Sequence, residues 1–257
     1  MKGPVEKYLL NKIREEGAIH FTLLDPEEFS PELAAKTASE AEACGTAAVM
    51  VGGSTIVSTS HLDAVVKAVK NTVKIPVILF PNNVTGISRY ADAIWFMSLL
   101  NSSDPYFITG AQILGAPIVK KFGLEPLPLG YVIVGEGGAV GVVGRACPIP
   151  RDKPGLAVAH ALAAQYFGMR FVYLEAGSGA KKPVPNVMIQ MVKRAINIPL
   201  IVGGGIKTEE QARDVVSAGA DAVVTGTLTE ERGNLREKIG ALVASIKSGK
   251  SSRRKIF

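Results

Sequence analysis

Short runs of β-branched and aromatic residues recur along the chain, and between them apolar residues fall at helical spacing. Eight such runs stand out: residues 18–24 (AIHFTLL), 47–51 (AAVMV), 77–80 (VILF), 93–97 (AIWFM), 129–134 (LGYVIV), 171–175 (FVYLE), 200–203 (LIVG) and 222–226 (AVVTG). Nearly continuous apolar runs of this length read as strands buried on both faces, as in a parallel sheet, and the amphipathic stretches between them read as crossover helices. The helix boundaries carry their own signals. Thr208 to Gln211 spells a capping box, Ala212, Val215 and Val216 follow on one face, and Gly219 supplies the stop. Ser60, followed by Leu62, Val65, Val66 and Val69, repeats the logic. Three units share a helix-ending glycine that leads into a strand closing on another glycine: Gly45 to Gly52, Gly168 to Gly177 and Gly219 to Gly226.

Eight β/α alternations of this length predict an α/β fold, a single-domain (β/α)8 barrel of the TIM type over residues 1–248, followed by a basic, flexible tail at 249–257. An open doubly wound sheet, with its ligand crevice at a switch point, is the structural alternative. No Pro/Gly/Ser-rich linker divides the chain. Its largest interruption, 135–150 (GEGGAVGVVGRACPIP), is expected to be a long loop after the fifth strand, with Arg145 a weak candidate for a phosphate contact.

Composition narrows the function classes. The 29 Lys and Arg exceed the 23 Asp and Glu by six, but Lys247, Lys250, Arg253, Arg254 and Lys255 carry five of those charges in the last dozen residues. The body of the chain is nearly neutral, which excludes a nucleic-acid groove. Cys44 and Cys147 have no paired spacing, so neither a disulfide framework nor a zinc site is indicated and a reducing cytoplasm fits. No segment has the length and apolarity of a membrane span, and the first residues lack the apolar region of a secretory signal. Gly249-Lys250-Ser251 imitates the end of a P-loop, but Ala244 stands where its first glycine belongs. His20, His61 and His160 are too scattered for a metal cluster and are expected to be structural or exposed.

In a barrel of this type the working residues stand at the C-terminal ends of the strands. The first strand delivers Asp25, the second Gly52-Gly53-Ser54, the sixth Glu175 and the glycines after it, the seventh Gly203-Gly204-Gly205 and the eighth Gly226-Thr227. Glycine turns after the last two strands let backbone N–H groups approach an anion, and the helix opening near Thr208 would add its positive end, so a phosphate site is expected there. Asp25 reads either as an N-cap or turn aspartate or, with Ser54, as a hard-oxygen site for magnesium. Tyr173 and Glu175 share one face of the sixth strand and Leu174 the other. Glu175 can hold and deprotonate a substrate hydroxyl, or it is a salt-bridged glutamate of the rim. No strand ends in lysine, which argues against a Schiff-base aldolase.

Taken together, HFTLLDP (20–26), MVGGST (50–55), YADAIWFMSLLNS (90–102), YLEAGSGA (173–180), IVGGGIKT (201–208) and VVTGT (223–227) resemble the geranylgeranylglyceryl phosphate synthases of archaeal ether-lipid synthesis, over about residues 18–230. The resemblance implies a magnesium-dependent prenyltransferase that joins geranylgeranyl diphosphate to the C3 hydroxyl of sn-glycerol 1-phosphate. It implies magnesium at Asp25 and Ser54, and acceptor binding by the segment Tyr173, Leu174, Glu175, Ala176, Gly177, Ser178 and Gly179. Gly204, Gly205, Gly226 and Thr227 would cradle the acceptor's phosphate. Leu23 stands where related bacterial heptaprenylglyceryl phosphate synthases carry lysine, which favours the archaeal branch and leaves the basic partner of the diphosphate unassigned.

The prenyl chain requires an apolar groove. Trp95, Phe96, Met97, Leu99, Leu100, Tyr106 and Phe107 are its candidates, or else ordinary core or a subunit interface. The resemblance also implies a homo-oligomer, and the basic tail suggests peripheral membrane contact. The rival readings are another phosphate-binding barrel enzyme acting on a sugar phosphate, a prenyltransferase with a different donor chain length, and a binding protein that keeps only the phosphate cradle.

Overall fold

A computed structural model describes residues 2–55, 58–226 and 235–253, with side chains described as far as Gly249. Eight strands close into one parallel barrel in chain order: β1 (Ile19–Leu24), β2 (Ala48–Val51), β3 (Val77–Leu79), β4 (Ala93–Leu99), β5 (Glu125–Ile133), β6 (Phe171–Glu175), β7 (Leu200–Gly203) and β8 (Ala222–Thr225). β8 pairs back onto β1, with Ile19 opposite Ala222 and Thr22 opposite Thr225. The expected barrel is therefore present, with a strand at each of the eight runs.

Strand alternation divides the buried residues into two shells. On β6, Phe171 and Tyr173 point into the barrel, where they meet Phe21, Trp95 and Leu129, whereas Val172 and Leu174 point outward against the helices. The surrounding helices are α2 (Pro31–Ala43), α3 (Thr59–Thr72), α4 (Ala111–Phe122), α6 (Pro154–Tyr166), α7 (Asn186–Ala195), α8 (Glu209–Ala218) and α9 (Leu235–Arg253). Gly45, Gly168 and Gly219 have φ of +92°, +83° and +131°, so each ends its helix in a conformation costly for other residues. The capping box of α8 forms as expected, with Thr208 Oγ1 accepting from Gln211 N–H at 3.2 Å.

The structure departs from the sequence reading in five places. Ser58 rather than Ser60 caps α3, its hydroxyl accepting from His61 N–H at 3.2 Å. β5 starts four residues before the expected run, at Glu125, because Pro126 and Pro128 are accommodated in it: they lack N–H groups, but Pro128 offers its carbonyl to Arg170 N–H at 3.0 Å. A short helix, α5 (Gly138–Val143), interrupts the expected loop. Helix α1 (Pro4–Glu16) sends Val5 and Leu9 into the interior cluster, and the Glu125 carboxylate caps it by accepting from the N–H groups of Val5 and Glu6 at 2.7 and 2.9 Å. At the other end of the chain, α9 continues past residue 248 to Arg253, and Arg254 and Lys255 lie outside the described residues.

Candidate active site

Two depressions meet among the strand ends. One is a long, largely apolar groove with Asp25, Gly53 and Ser54 at one part of its wall and Phe96, Met97 and Phe107 at another. The other is a small pocket walled by Tyr173, Glu175, Ser178, Gly204, Gly205 and Gly226. Leu23, Glu175, Ser178 and Gly226 border both.

Glu175, the last residue of β6, is 6% exposed and has neutral partners. Its Oε1 accepts the N–H of Gly177 at 2.6 Å, and the hydroxyls of Tyr173 and Tyr131 donate to the same carboxylate. Burial pushes its carboxyl above the usual range, and the three donors pull partly the other way. The salt-bridged rim alternative is thereby set aside. Both tyrosines are raised well above their usual range, first by burial and then by the carboxylate, so both stay protonated as donors. Phe80 stacks on Tyr173 at 5.7 Å and meets Tyr131 edge-on at 5.5 Å, fixing the two phenols.

The glycines at and after the end of β7 make room for this arrangement. A Cβ on Gly203 would overlap the Tyr173 hydroxyl, and one on Gly204, at φ +80°, would overlap Glu175 Oε1 and lie 2.7 Å from the backbone nitrogen of Gly177. Gly204, Gly205 and Gly226 do line one pocket, as expected, whereas Thr227 lies outside the described residues. Within the segment 173–179, strand alternation turns the side chains of Leu174 and Ala176 into the outer cluster. At the start of α8, Gln211 Oε1 accepts the N–H groups of Lys207 and Thr208 at 2.7 and 3.2 Å.

Asp25 is half-buried, and its Oδ1 accepts Glu27 N–H at 3.0 Å, a turn contact. It does not cap α2, a role taken by Ser30, whose hydroxyl accepts from Leu33 N–H at 3.3 Å. A Cβ on Gly53 would overlap the Asp25 carboxylate, so this glycine lets the Ser54 turn close over it. Burial raises the Asp25 carboxyl, the Glu27 N–H pulls it partly back, and the charges of Glu28 and Glu27 add to the rise, with no cation among the described residues acting against them. Among the described residues no three His, Cys, Asp or Glu side chains gather as a metal cluster, and no Lys or Arg lines the groove.

Of the candidates for the groove, Trp95, Phe96, Met97, Leu99 and Phe107 line it. Leu100 packs instead against the outer cluster, and Tyr106 stands edge-on against Phe107 at 5.2 Å without reaching the groove. The wall carrying Phe107 is a π-helical turn, Tyr106–Gly110, tied to β4 by Ser98 Oγ, which donates to Ile108 O at 2.7 Å. Arg145 pairs with Asp104 at 3.2 Å and stays exposed. Of the three histidines, His61 bonds the carbonyls of Pro26 and Phe29, His160 bonds that of Leu156, and His20 is buried.

Sequence reasoning missed Tyr131, Phe80 and the groove face of α4. Tyr131 had a signal, since it shares the inward parity of Leu129 and Ile133 and stands opposite Tyr173 in the sheet.

Residues 11–246 match the PcrB family. The chain belongs to this family. Its PcrB relatives include the geranylgeranylglyceryl phosphate synthase of Thermofilum pendens, 56% identical over 249 residues that make up 97% of each chain. The geranylgeranylglyceryl phosphate synthase of Thermococcus kodakarensis is 58% identical over 248 residues, 95% of this chain and 98% of its own. The crystal structure of (S)-3-O-geranylgeranylglyceryl phosphate synthase from Thermoplasma acidophilum, in complex with its substrate sn-glycerol-1-phosphate, superposes with a TM-score of 0.92 at 43% identity, covering 96% of this chain and all of that one. The resemblance seen in the motifs is thus borne out across the barrel. No described helix is long and apolar enough to cross a membrane.

Proposed function

We propose that the protein is a prenyltransferase that joins the geranylgeranyl group of geranylgeranyl diphosphate to the C3 hydroxyl of sn-glycerol 1-phosphate. The observation that carries this reading is the place of Glu175, a buried carboxylate on the border between an apolar groove and a glycine-walled pocket. The relatives named above support it.

The small pocket takes the acceptor. Backbone around Gly204, Gly205 and Gly226 receives its phosphate, and Tyr173 orients the glycerol toward Glu175. The groove takes the prenyl chain, whose transfer from water contributes about 0.8 kcal/mol for each buried CH2. Glu175 accepts the proton of the C3 hydroxyl as that oxygen bonds to C1 of the prenyl group and the bond from C1 to the diphosphate oxygen breaks. Its raised carboxyl suits it to hold this proton, while Tyr131 and Tyr173 keep it oriented. Phe80 and the two phenols exclude water from the reacting carbon.

Asp25 and Ser54 would hold magnesium, which fits a half-buried carboxylate without a cationic partner among the described residues and, when bound, supplies charge neutralisation to the departing diphosphate.

Incubation of labelled sn-glycerol 1-phosphate with geranylgeranyl diphosphate and magnesium tests the reading. Organic-extractable label that disappears with a chelator is expected, and label that stays in the aqueous phase under all conditions would overturn it.

A further inference from the structure

His20 belongs to none of the steps above, yet it is tied to the end of the strand that leads into the acceptor pocket. On β1, Ile19 and Phe21 face the barrel interior, so His20 and Thr22 face outward. His20 is 2% exposed. Its Nδ1 lies 2.8 Å from Thr46 Oγ1, its Nε2 lies 2.8 Å from Thr225 Oγ1, and Thr46 Oγ1 lies 3.0 Å from Thr22 Oγ1. Burial lowers the imidazole to about 3, so it is neutral, with one nitrogen donating and the other accepting.

Thr225 is the last residue of β8 and lines the acceptor pocket, and Gly226 after it borders both pockets. The ladder to β7 ends at Val224 and the ladder to β1 ends at Thr225 itself. The bond from His20 therefore anchors the strand at its final rung, immediately before the backbone that meets the phosphate.

We propose that His20 is a positioning residue for the acceptor's phosphate cradle, acting through Thr225. This rests on the assignment of the small pocket to glycerol phosphate. His20 touches no substrate, so it acts on acceptor affinity and leaves the donor groove and the proton transfer at Glu175 as they are.

The test measures acceptor KM, donor KM and kcat, with calorimetric binding of sn-glycerol 1-phosphate, in variants that separate the two ring contacts. His20→Leu removes both and is expected to raise acceptor KM and Kd about tenfold, the scale of one hydrogen bond, with kcat and donor KM within about twofold. His20→Asn can replace only the contact to Thr46 and should behave the same way; it carries the test if the leucine variant does not fold. His20→Gln reaches the position of Nε2 and should restore acceptor KM to within about twofold of the native enzyme. Thr46→Val breaks the same network away from the pocket and should lower stability without moving acceptor KM. Native acceptor affinity in His20→Leu or His20→Asn would overturn the proposal, as would a rise in Thr46→Val equal to theirs. Failure of the native protein to bind sn-glycerol 1-phosphate would instead remove the pocket assignment, and this inference with it.

Discussion

Tyr131 and Tyr173 are cross-strand partners on β5 and β6, their rings meet at 5.1 Å and 73°, and both hydroxyls donate to one carboxylate, that of Glu175. One phenol borders the apolar groove and the other the acceptor pocket. The pair thus holds the same base from the side of each substrate.

Removing either hydroxyl has a signed consequence for pH dependence. Both donors stabilise the ionised carboxylate, so Tyr131→Phe or Tyr173→Phe raises the Glu175 carboxyl beyond its already raised position. The base works only when ionised, and the acid limb of kcat/KM should therefore move to higher pH in both variants. Acceptor KM should rise chiefly in Tyr173→Phe. A pH profile measured over the acid range decides it, and an unmoved limb in both variants would contradict the arrangement.

Glu175→Gln keeps the shape and the contact to Gly177 but cannot take a proton. Turnover should fall by about 10²- to 10⁴-fold, the usual range for a lost general base. Equilibrium binding of sn-glycerol 1-phosphate should change only a few-fold, as followed by calorimetry.

Asp25→Asn should lower turnover much more than acceptor binding and raise the magnesium concentration needed for half-maximal rate. Gly204→Val acts in the opposite sense, because its side chain would occupy the space of Glu175 Oε1 and its backbone sits at φ +80°. It should chiefly destroy acceptor binding. Parallel magnesium and acceptor titrations of the two variants distinguish these effects.

Much of this was legible in the sequence, for physical reasons that differ by element. The barrel strands are short apolar runs punctuated by glycines, and Gly45, Gly168 and Gly219 mark three helix ends through a backbone conformation that favours glycine. Glu175 and Tyr173 could be placed on one face because strand parity is a local rule. Tyr131 obeys the same rule, but its importance rests on a partner more than forty residues away, and β5 is harder to bound because Pro126 and Pro128 break the strand pattern. The groove face of α4 and the plug formed by α1 are settled by tertiary packing alone. The outward turn of Leu174 and Ala176 was already implied by parity, whereas a motif treats all its members alike.

Buried His20 makes stability depend on acidity. Its imidazole stays neutral in the folded protein down to about 3, against a usual value of 6.5, so the unfolded chain binds the extra proton between those values. This contribution is complete above pH 6.5 and is lost as pH falls toward 3, at up to about 1.4 kcal/mol per pH unit. Urea midpoints compared at a series of pH values should show this slope in the native protein and a shallower one in His20→Gln. Equal slopes would contradict it.

The central claim is that one carboxylate stands between the two substrates. A crystal structure with sn-glycerol 1-phosphate and an unreactive thio-analogue of geranylgeranyl diphosphate tests it most directly. The C3 hydroxyl should lie within hydrogen-bond reach of Glu175, about 2.6–3.2 Å, with the phosphate against Gly204 and Gly205 and the prenyl chain along Phe96 and Phe107. An acceptor hydroxyl directed away from Glu175, or a prenyl chain outside that groove, would contradict it.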